Sequence, residues 1–175
     1  MLPTRLAFYE DWLTAEGLRG GTIGLASVRA VLSFLRQEGA AYDETTSRAG
    51  TYAAEWTIET MTPFERRSIA RLPLWLRRRV LLRLASRLVR ESCHTSRAVA
   101  RVRQGTARIE LTGSIFCSVR DPVAQPLCLF YAAAVARFMR LFDLDMTVTV
   151  AACRGTGAPC CLLAVSPAAD RVSAP

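Results

Sequence analysis

The sequence predicts an α+β fold, in which N-terminal helices pack on a four-stranded antiparallel sheet and a late helix connects the second and third strands. Two observations support this prediction. Apolar residues recur at helical spacing as far as Glu91, and beyond Ser96 they alternate with polar residues as they do in strands. A second region of helical spacing then separates two pairs of predicted strands.

The N-terminal half contains four predicted helices. The first covers Leu2–Glu16 and is followed by a glycine cluster, which we interpret as a flexible connection because it lacks the spacing of a phosphate-binding loop. The second contains Leu25, Val28, Leu32 and Leu35 and ends at Gly39. The third is predicted from an N-cap at Asp43 to about Met61, and the fourth over Leu72–Glu91.

The fourth helix has two stripes at helical spacing. One stripe is apolar and the other is basic; their members are Leu76, Val80, Leu84 and Leu88, and Arg79, Arg83, Arg87 and Arg90. The C-terminal half then predicts a hairpin, a late helix over about Leu127–Phe142 and two further strands. The strands are Ala98–Val102, Ala107–Leu111, Met146–Ala152 and Cys161–Val165, with a turn at Gln104 and Gly105.

The length of 175 residues and the 51% hydrophobic composition fit one domain, predicted over residues 1–167 and followed by a disordered tail over 168–175. The longest apolar run, Leu127–Ala136, is too short for a membrane span. The N-terminus does not have the pattern of a secretory signal. These features predict a cytoplasmic protein.

The net charge of the chain is +8. Because the sequence contains no lysine, its positively charged side chains are all arginines. The absence of lysine excludes a Walker-type phosphate loop and Schiff-base catalysis. A single histidine, His94, and no carboxylate pair better placed than Glu55 and Glu59 argue against an enzyme. His94 adjoins Cys93, but neighbouring helical residues do not face each other, so a nucleophilic pair is not expected.

Cysteines are the candidate metal ligands. The late helix opens at Cys128, the third strand ends at Cys153 and the fourth strand opens at Cys161, so three elements could bring thiolates to one edge of the sheet around Zn²⁺. Cys160 is a candidate fourth ligand if Pro159 bends the segment. Two alternatives remain open: the cysteines are small buried hydrophobes, and Cys117, assigned to the second strand, belongs to the core.

Three segments resemble the 4-vinyl reductase domain family, which shares the TRAPP-subunit-like fold; they are GSIFCS at 113–118, QPLC at 125–128 and CRGTGAPCCL at 153–162. Pro126, Cys128, Cys153, Gly157 and Cys161 match the family pattern over a region of about residues 40–166. Val150 stands where better-characterised members have a glutamate as fourth metal ligand. The resemblance implies a structural zinc site that keeps only its cysteines.

The resemblance also implies a domain that binds or senses hydrophobic or aromatic small molecules. The candidate ligand contacts are Trp56, Phe116 on the second strand and Phe138 on the late helix, although plain core packing is the alternative for all three. An accessory role in tetrapyrrole metabolism is a further implication. No dinucleotide fingerprint accompanies it, so a reductase is not predicted.

Two partner hypotheses complete the expectations. A homodimeric scaffold would use Trp75, Leu81 and Leu82 as a helix face for a second copy. The arginines between Arg66 and Arg90 permit binding to nucleic acid or to an anionic membrane surface, although such a stripe is also typical of a solvated helix face.

Overall fold

The computed structural model describes residues 25–92, 95–103 and 106–168. Backbone contacts divide the chain into two compact units, Met1–Tyr42 and Asp43–Pro175. The predicted first helix, the glycine cluster, Cys93, His94, the Gln104–Gly105 turn and the C-terminal tail lie outside the described residues. The single-domain boundary at residue 167 stays a prediction.

Five α-helices are described, and all five precede or interrupt the sheet. They are α1 (Leu25–Gln37), α2 (Ala40–Glu59), α3 (Pro63–Arg71), α4 (Leu74–Ser92) and α5 (Leu129–Leu141). The strands are β1 (Arg97–Arg103), β2 (Thr106–Thr112), β3 (Met146–Ala152) and β4 (Cys161–Pro167). Short 3-10 helices occur at Ile115–Cys117 and Arg154–Thr156.

The sheet is antiparallel throughout, with the strand order β1-β2-β4-β3. Its hairpin β1–β2 pairs in full register from Arg97 opposite Thr112 to Arg103 opposite Thr106. The predicted α+β architecture and the late helix between the second and third strands are confirmed. No helix among the described residues is both long and apolar enough to cross a bilayer, and the cytoplasmic location stays a prediction.

The core lies between one face of the sheet and the helices α4 and α5, which contact β1, β3 and each other. Alternate residues of β2 and β4 point into it, and Ile109, Leu111, Leu163 and Val165 are at most 1% exposed. From the helices, Leu81, Leu82, Phe138 and Met139 complete the interior. The alternating sequence pattern predicted that every second residue of these strands would be buried, and the structure confirms this.

Three local predictions were wrong. Helix α2 begins at Ala40, so Asp43 lies in its first turn and is not the N-cap. A separate helix, α3, begins at Pro63, where Thr62 and Glu65 form a reciprocal capping box that satisfies the first amide groups. Of the predicted apolar stripe on α4 only Leu88 is buried, whereas Leu76, Val80 and Leu84 are half-buried. The buried face also contains Leu81 and Leu82, because α4 packs against both β1 and α5.

Burial of Leu81 and Leu82 also corrects the predicted dimer face. Their side chains are 0% and 2% exposed, so they belong to the core and are not available to a second copy. Trp75, the third member of that face, is 58% exposed. Homodimerisation itself stays a prediction.

Gly50 allows α2 and the start of α5 to approach closely. A Cβ atom at this position would collide with the backbone carbonyl of Phe130. Helix α5 begins immediately before Phe130, so this contact fixes the position of the α5 N-terminus against α2. Backbone atoms cannot move aside as a flexible side chain can, which makes glycine a packing requirement here.

We expect Gly50→Ala to destabilise the protein although alanine favours helices by about 1 kcal/mol over glycine. Forced separation of α2 and α5 costs about 1–3 kcal/mol in typical overpacked sites. Thr45→Ala, at an exposed position of the same helix, is the matched control and should be neutral or slightly stabilising. Urea unfolding of both variants checks this, and a stabilised Gly50→Ala protein would contradict the close approach.

Candidate metal centre and adjoining core

Four buried cysteines converge at one end of the sheet. Cys117 ends the 3-10 helix that follows β2, Cys128 is the N-cap residue of α5, Cys153 follows β3, and Cys161 opens β4. Their exposed fractions are between 0% and 5%. The four Sγ atoms all lie within 4.8 Å of one another.

The sulfur spacing suits a tetrahedral metal ion. Cys117 Sγ is 3.0 Å from Cys128 Sγ, 3.4 Å from Cys153 Sγ and 3.4 Å from Cys161 Sγ, and Cys128 Sγ is 3.6 Å from Cys153 Sγ. A tetrahedron with Zn–S bonds of about 2.3 Å has edges of about 3.8 Å. Four thiolates are also a complete donor set of the kind found in structural zinc sites, so the residues fit a zinc ion.

Sheet pairing and two tight turns produce this convergence. Cys161 lies opposite Leu111 near the end of β2, so the chain leaving β2 needs only a short excursion to bring Cys117 beside it. Gly113 makes that excursion possible with a φ of 69°, and a Cβ there would collide with the Thr95 carbonyl. Cys153 is carried in by the turn between β3 and β4.

Backbone amides of the surrounding loops point at two of the sulfurs. The Leu127 N–H donates to Cys153 Sγ at 3.2 Å, and the Arg154 N–H donates to Cys161 Sγ at 3.3 Å. Gly155 leaves room for this arrangement, because a Cβ there would lie 2.8 Å from Leu127 Cδ1. Such amide–sulfur bonds stabilise thiolates and orient them for a metal ion.

The thiols perturb one another strongly. Hydrogen bonding to Cys117, Cys153 and Cys161, together with burial, raises the pKa of Cys128. Hydrogen bonds from Cys117 and Cys128 lower the pKa of Cys153, to which the Leu127 amide adds. The same two thiols lower the pKa of Cys161. Deprotonation is therefore favoured at Cys153 and Cys161 over Cys128, and a bound cation would allow all four thiols to ionise.

An aromatic cluster adjoins the thiols. The rings of Phe116 and Phe130 stack at 4.8 Å, and Tyr131 meets Phe116 and Phe130 edge-on at 5.3 and 5.2 Å. Phe116 is next to Cys117, and Tyr131 is in the first turn of α5 after Cys128. The aromatic rings and the sulfur cluster therefore share the same two chain segments.

Tyr131 is 1% exposed, and neither its hydroxyl nor that of Ser114 makes a hydrogen bond of normal geometry, although the two hydroxyls are close enough to interact. Both hydroxyls are buried oxygen atoms, and such groups are normally paired. Ser96, whose hydroxyl donates to the Gly113 carbonyl at 2.9 Å, is also near. Desolvation raises the pKa of Tyr131 to about 12, although the Ser114 and Ser96 hydroxyls oppose the shift.

The Tyr131 side chain also lines the centre of the core. It faces a space enclosed by apolar residues of α4, β2, β4 and α5, which has no room for a water molecule. The apolar residues are Ala85, Leu88, Val89, Ile109, Leu111, Ala134, Val135 and Leu163. Tyr131 supplies the single polar side-chain atom among these lining residues.

The structure brings three of the four predicted metal ligands together and adds one. Cys128, Cys153 and Cys161 lie in the cluster, whereas Cys160 is partly exposed and lies outside this group of sulfurs. Cys117 takes the fourth place, so its assignment to the second strand was wrong because β2 ends at Thr112. The signal that could have found it was the strand-breaking Gly113 four residues earlier.

The three predicted ligand contacts occupy different environments. Trp56 is 53% exposed beside an open groove between α2 and α4, and Phe138 is 0% exposed in the core. Phe116 lies in the 3-10 helix rather than on the second strand, since Gly113 ends the extended segment. Their role in ligand binding stays a prediction. The Cys93–His94 pair lies outside the described residues.

No protein-family model matches the chain, and no curated protein matches it. Among solved structures it is similar to the phenol-responsive sensory domain of the transcription activator PoxR with phenol. The identity is 13%, the TM-score is 0.57, and the match covers 83% of this chain and 75% of that chain. A likeness at this identity shows that the fold is shared. Membership of the 4-vinyl reductase family stays a prediction.

We expect alkaline pH to destabilise the protein partly through Tyr131. Its pKa is about 12 in the fold against an ordinary value of 10.0, so the stabilising neutral form is present below pH 10 and is lost as pH rises through 12. By linkage, Tyr131 should account for about 1.4 kcal/mol of lost stability near about pH 11. Tyr131→Phe should lack this component in urea unfolding curves measured at neutral and alkaline pH. Equal alkaline losses in both proteins would contradict the assignment.

Proposed function

We propose that this chain is a small-molecule-binding sensory domain whose fold is fixed by a structural zinc ion at Cys117, Cys128, Cys153 and Cys161. The observation that carries the binding role is the buried Tyr131 hydroxyl, which makes no hydrogen bond of normal geometry within the described residues. The shared fold with a phenol-responsive sensory domain supports the same role. The proposal assigns no catalytic step to the chain.

The zinc ion would be structural because all four coordination positions are taken by protein thiolates. A catalytic site needs an open position for water or substrate. When bound, the ion supplies the positive charge that lets four buried thiolates coexist, and it joins β2, β3, β4 and α5 at one point. In the 4-vinyl reductase family the fourth metal ligand is a glutamate, and this chain has Val150 at that position. Cys117 would take the place of that glutamate as the fourth ligand.

The ligand would be apolar with one group able to form a hydrogen bond. The core beside Tyr131 is lined by aliphatic side chains, so an apolar body gains free energy by burial there. A hydroxyl or carbonyl on the ligand would satisfy Tyr131 and Ser114, which otherwise remain unpaired at a cost of about 1–3 kcal/mol per group.

Entry of such a ligand requires movement, because the enclosed space does not hold even a water molecule. Helices α4 and α5 would have to separate from each other or from the sheet. Since Cys128 is the N-cap residue of α5, the metal would hold one end of the helix while the ligand shifts the rest. That displacement is the signal that a sensory domain could transmit.

We expect about one zinc ion per chain in protein purified under reducing conditions, measured by elemental analysis. Cys117→Ser should lose the metal, because three thiolates and a hydroxyl bind Zn²⁺ much more weakly than four thiolates. Cys160→Ser removes a thiol outside the cluster and should keep full occupancy. It is the matched control.

Replacement by Co²⁺ in the wild-type chain provides a readout that does not depend on whether Cys117→Ser folds, since the visible absorption of cobalt reports tetrahedral thiolate ligation. Metal-free wild-type protein that is folded and unable to take up zinc or cobalt would overturn the metal centre. Zinc loss in Cys160→Ser with retention in Cys117→Ser would move the fourth ligand to Cys160.

For ligand binding, we expect calorimetric titration to detect phenol binding to the zinc-loaded protein, with a negative heat-capacity change from apolar burial. Tyr131→Phe should weaken phenol binding about two- to tenfold, since one net hydrogen bond contributes about 0.5–1.5 kcal/mol. Toluene lacks the hydroxyl and should bind both proteins equally. Equal phenol affinity in both proteins would exclude Tyr131 as the polar anchor, and no binding of either compound would overturn the sensory role.

A further inference from the structure

The outward face of α4 is strongly basic. The segment from Pro63 to Ser92 contains nine arginines and two glutamates. On α4, the exposed members are Arg79, Arg83, Arg87 and Arg90, whose spacing of three or four residues places them on one side of the helix. We call these four residues the arginine face. It lies opposite the core-facing residues Leu81, Leu88 and Val89.

Little on this face neutralises the charge. Arg87 pairs with Glu91, with Nε 2.7 Å from Oε1, and both side chains are more than half exposed. For Arg79, Arg83 and Arg90 no ion pair is recorded among the described residues. Asp143 and Asp145 line an open groove with Leu74, Trp75 and Arg78, so these two carboxylates lie at the Trp75 border of the arginine face and not among its four arginines. Exposed like charges at helical spacing repel, so the face favours an anionic partner.

Exposed apolar side chains border the arginine face at both ends. At the N-terminal end of α4, Trp75 is 58% exposed, and the Arg79 guanidinium lies 5.5 Å from its ring centroid. At the other end, Arg87 and Glu65 line the same open groove, so the start of α3, which carries Glu65, is a neighbour. Phe64 at that start is 78% exposed.

We propose that the arginine face, with Trp75 and Phe64 at its borders, is a docking surface for an anionic lipid membrane. Arginines attract lipid phosphates by about 1 kcal/mol each near a charged bilayer. Tryptophan and phenylalanine are suited to the headgroup region, where their rings are partly buried. The surface uses none of the residues assigned to the metal or the ligand, so it is independent of the proposed function.

The positions of Trp75 and Phe64 favour a membrane over nucleic acid as the partner of the arginine face. A phosphate backbone is bound by arginines alone, and single-stranded bases additionally require a row of aromatic side chains. Here the arginine face itself carries no aromatic side chain, and the apolar residues stand at its edges. A planar bilayer can contact both edges while its phosphates meet the arginines between them.

The test is sedimentation of the full chain with lipid vesicles at low and physiological salt. We expect binding to vesicles of phosphatidylcholine and phosphatidylglycerol in a two-to-one ratio, none to pure phosphatidylcholine, and weakening by salt. The double variant Arg79→Gln/Arg83→Gln should partition about 30-fold more weakly. Trp75→Ala should also weaken partitioning, a result that a purely ionic contact would not give.

The matched control is Arg101→Gln/Arg108→Gln. These two arginines are exposed and lie opposite each other on β1 and β2, so their removal lowers net charge equally at a different surface. This control should bind vesicles like the wild type. Equal losses in both double variants would overturn the proposal in favour of non-specific attraction. Binding to a DNA duplex that depends on Arg79 and Arg83, without binding to anionic vesicles, would overturn it in favour of nucleic acid.

Discussion

The main constraint on the C-terminal half of the fold is the convergence of four buried sulfur atoms, which come from the 3-10 helix after β2, the end of β3, the start of β4 and the N-cap of α5. Cys117, Cys128, Cys153 and Cys161 are separated by up to 44 residues in sequence, yet their Sγ atoms lie within 4.8 Å. Thiols are weak hydrogen-bond groups, and buried thiolates repel each other, so packing alone gives little reason for this proximity. A bound cation gives one, and it would hold β2, β3, β4 and α5 together in a domain of modest size.

The architecture could be predicted because it follows from periodicity. The change from helical to alternating spacing after Ser96 located the hairpin, and the strand limits Met146 and Ala152 agree with the structure. Periodicity could not decide which side of α4 is buried, since leucines occur on several sides of that helix. Leu81 and Leu82 are buried because α4 contacts both β1 and α5, which is tertiary information.

The cysteine cluster could be predicted only in part for a similar reason. Cys128, Cys153 and Cys161 stand at element boundaries, where sequence patterns place them at one edge of the sheet. Cys117 was assigned to a strand that in fact ends five residues earlier, because the effect of Gly113 on the chain direction depends on its contact with Thr95. Cys160 was expected to join the cluster only if Pro159 bent the segment, but it precedes β4, is partly exposed and lies outside the sulfur cluster.

The position of Tyr131 links the two halves of the proposed function. It lies three residues after Cys128, within one turn of the helix start, and its ring contacts Phe116, the neighbour of Cys117. A ligand that pairs with the Tyr131 hydroxyl therefore acts on a helix whose first residue the metal would hold fixed. Because protein interiors are close-packed, inserting an apolar body beside Tyr131 must displace the free part of α5 or of α4. With a metal ion holding Cys128, ligand entry would therefore move the rest of α5 or α4 in one direction. Without the ion, the loops around Cys128 could loosen instead, and the helices would not have to move.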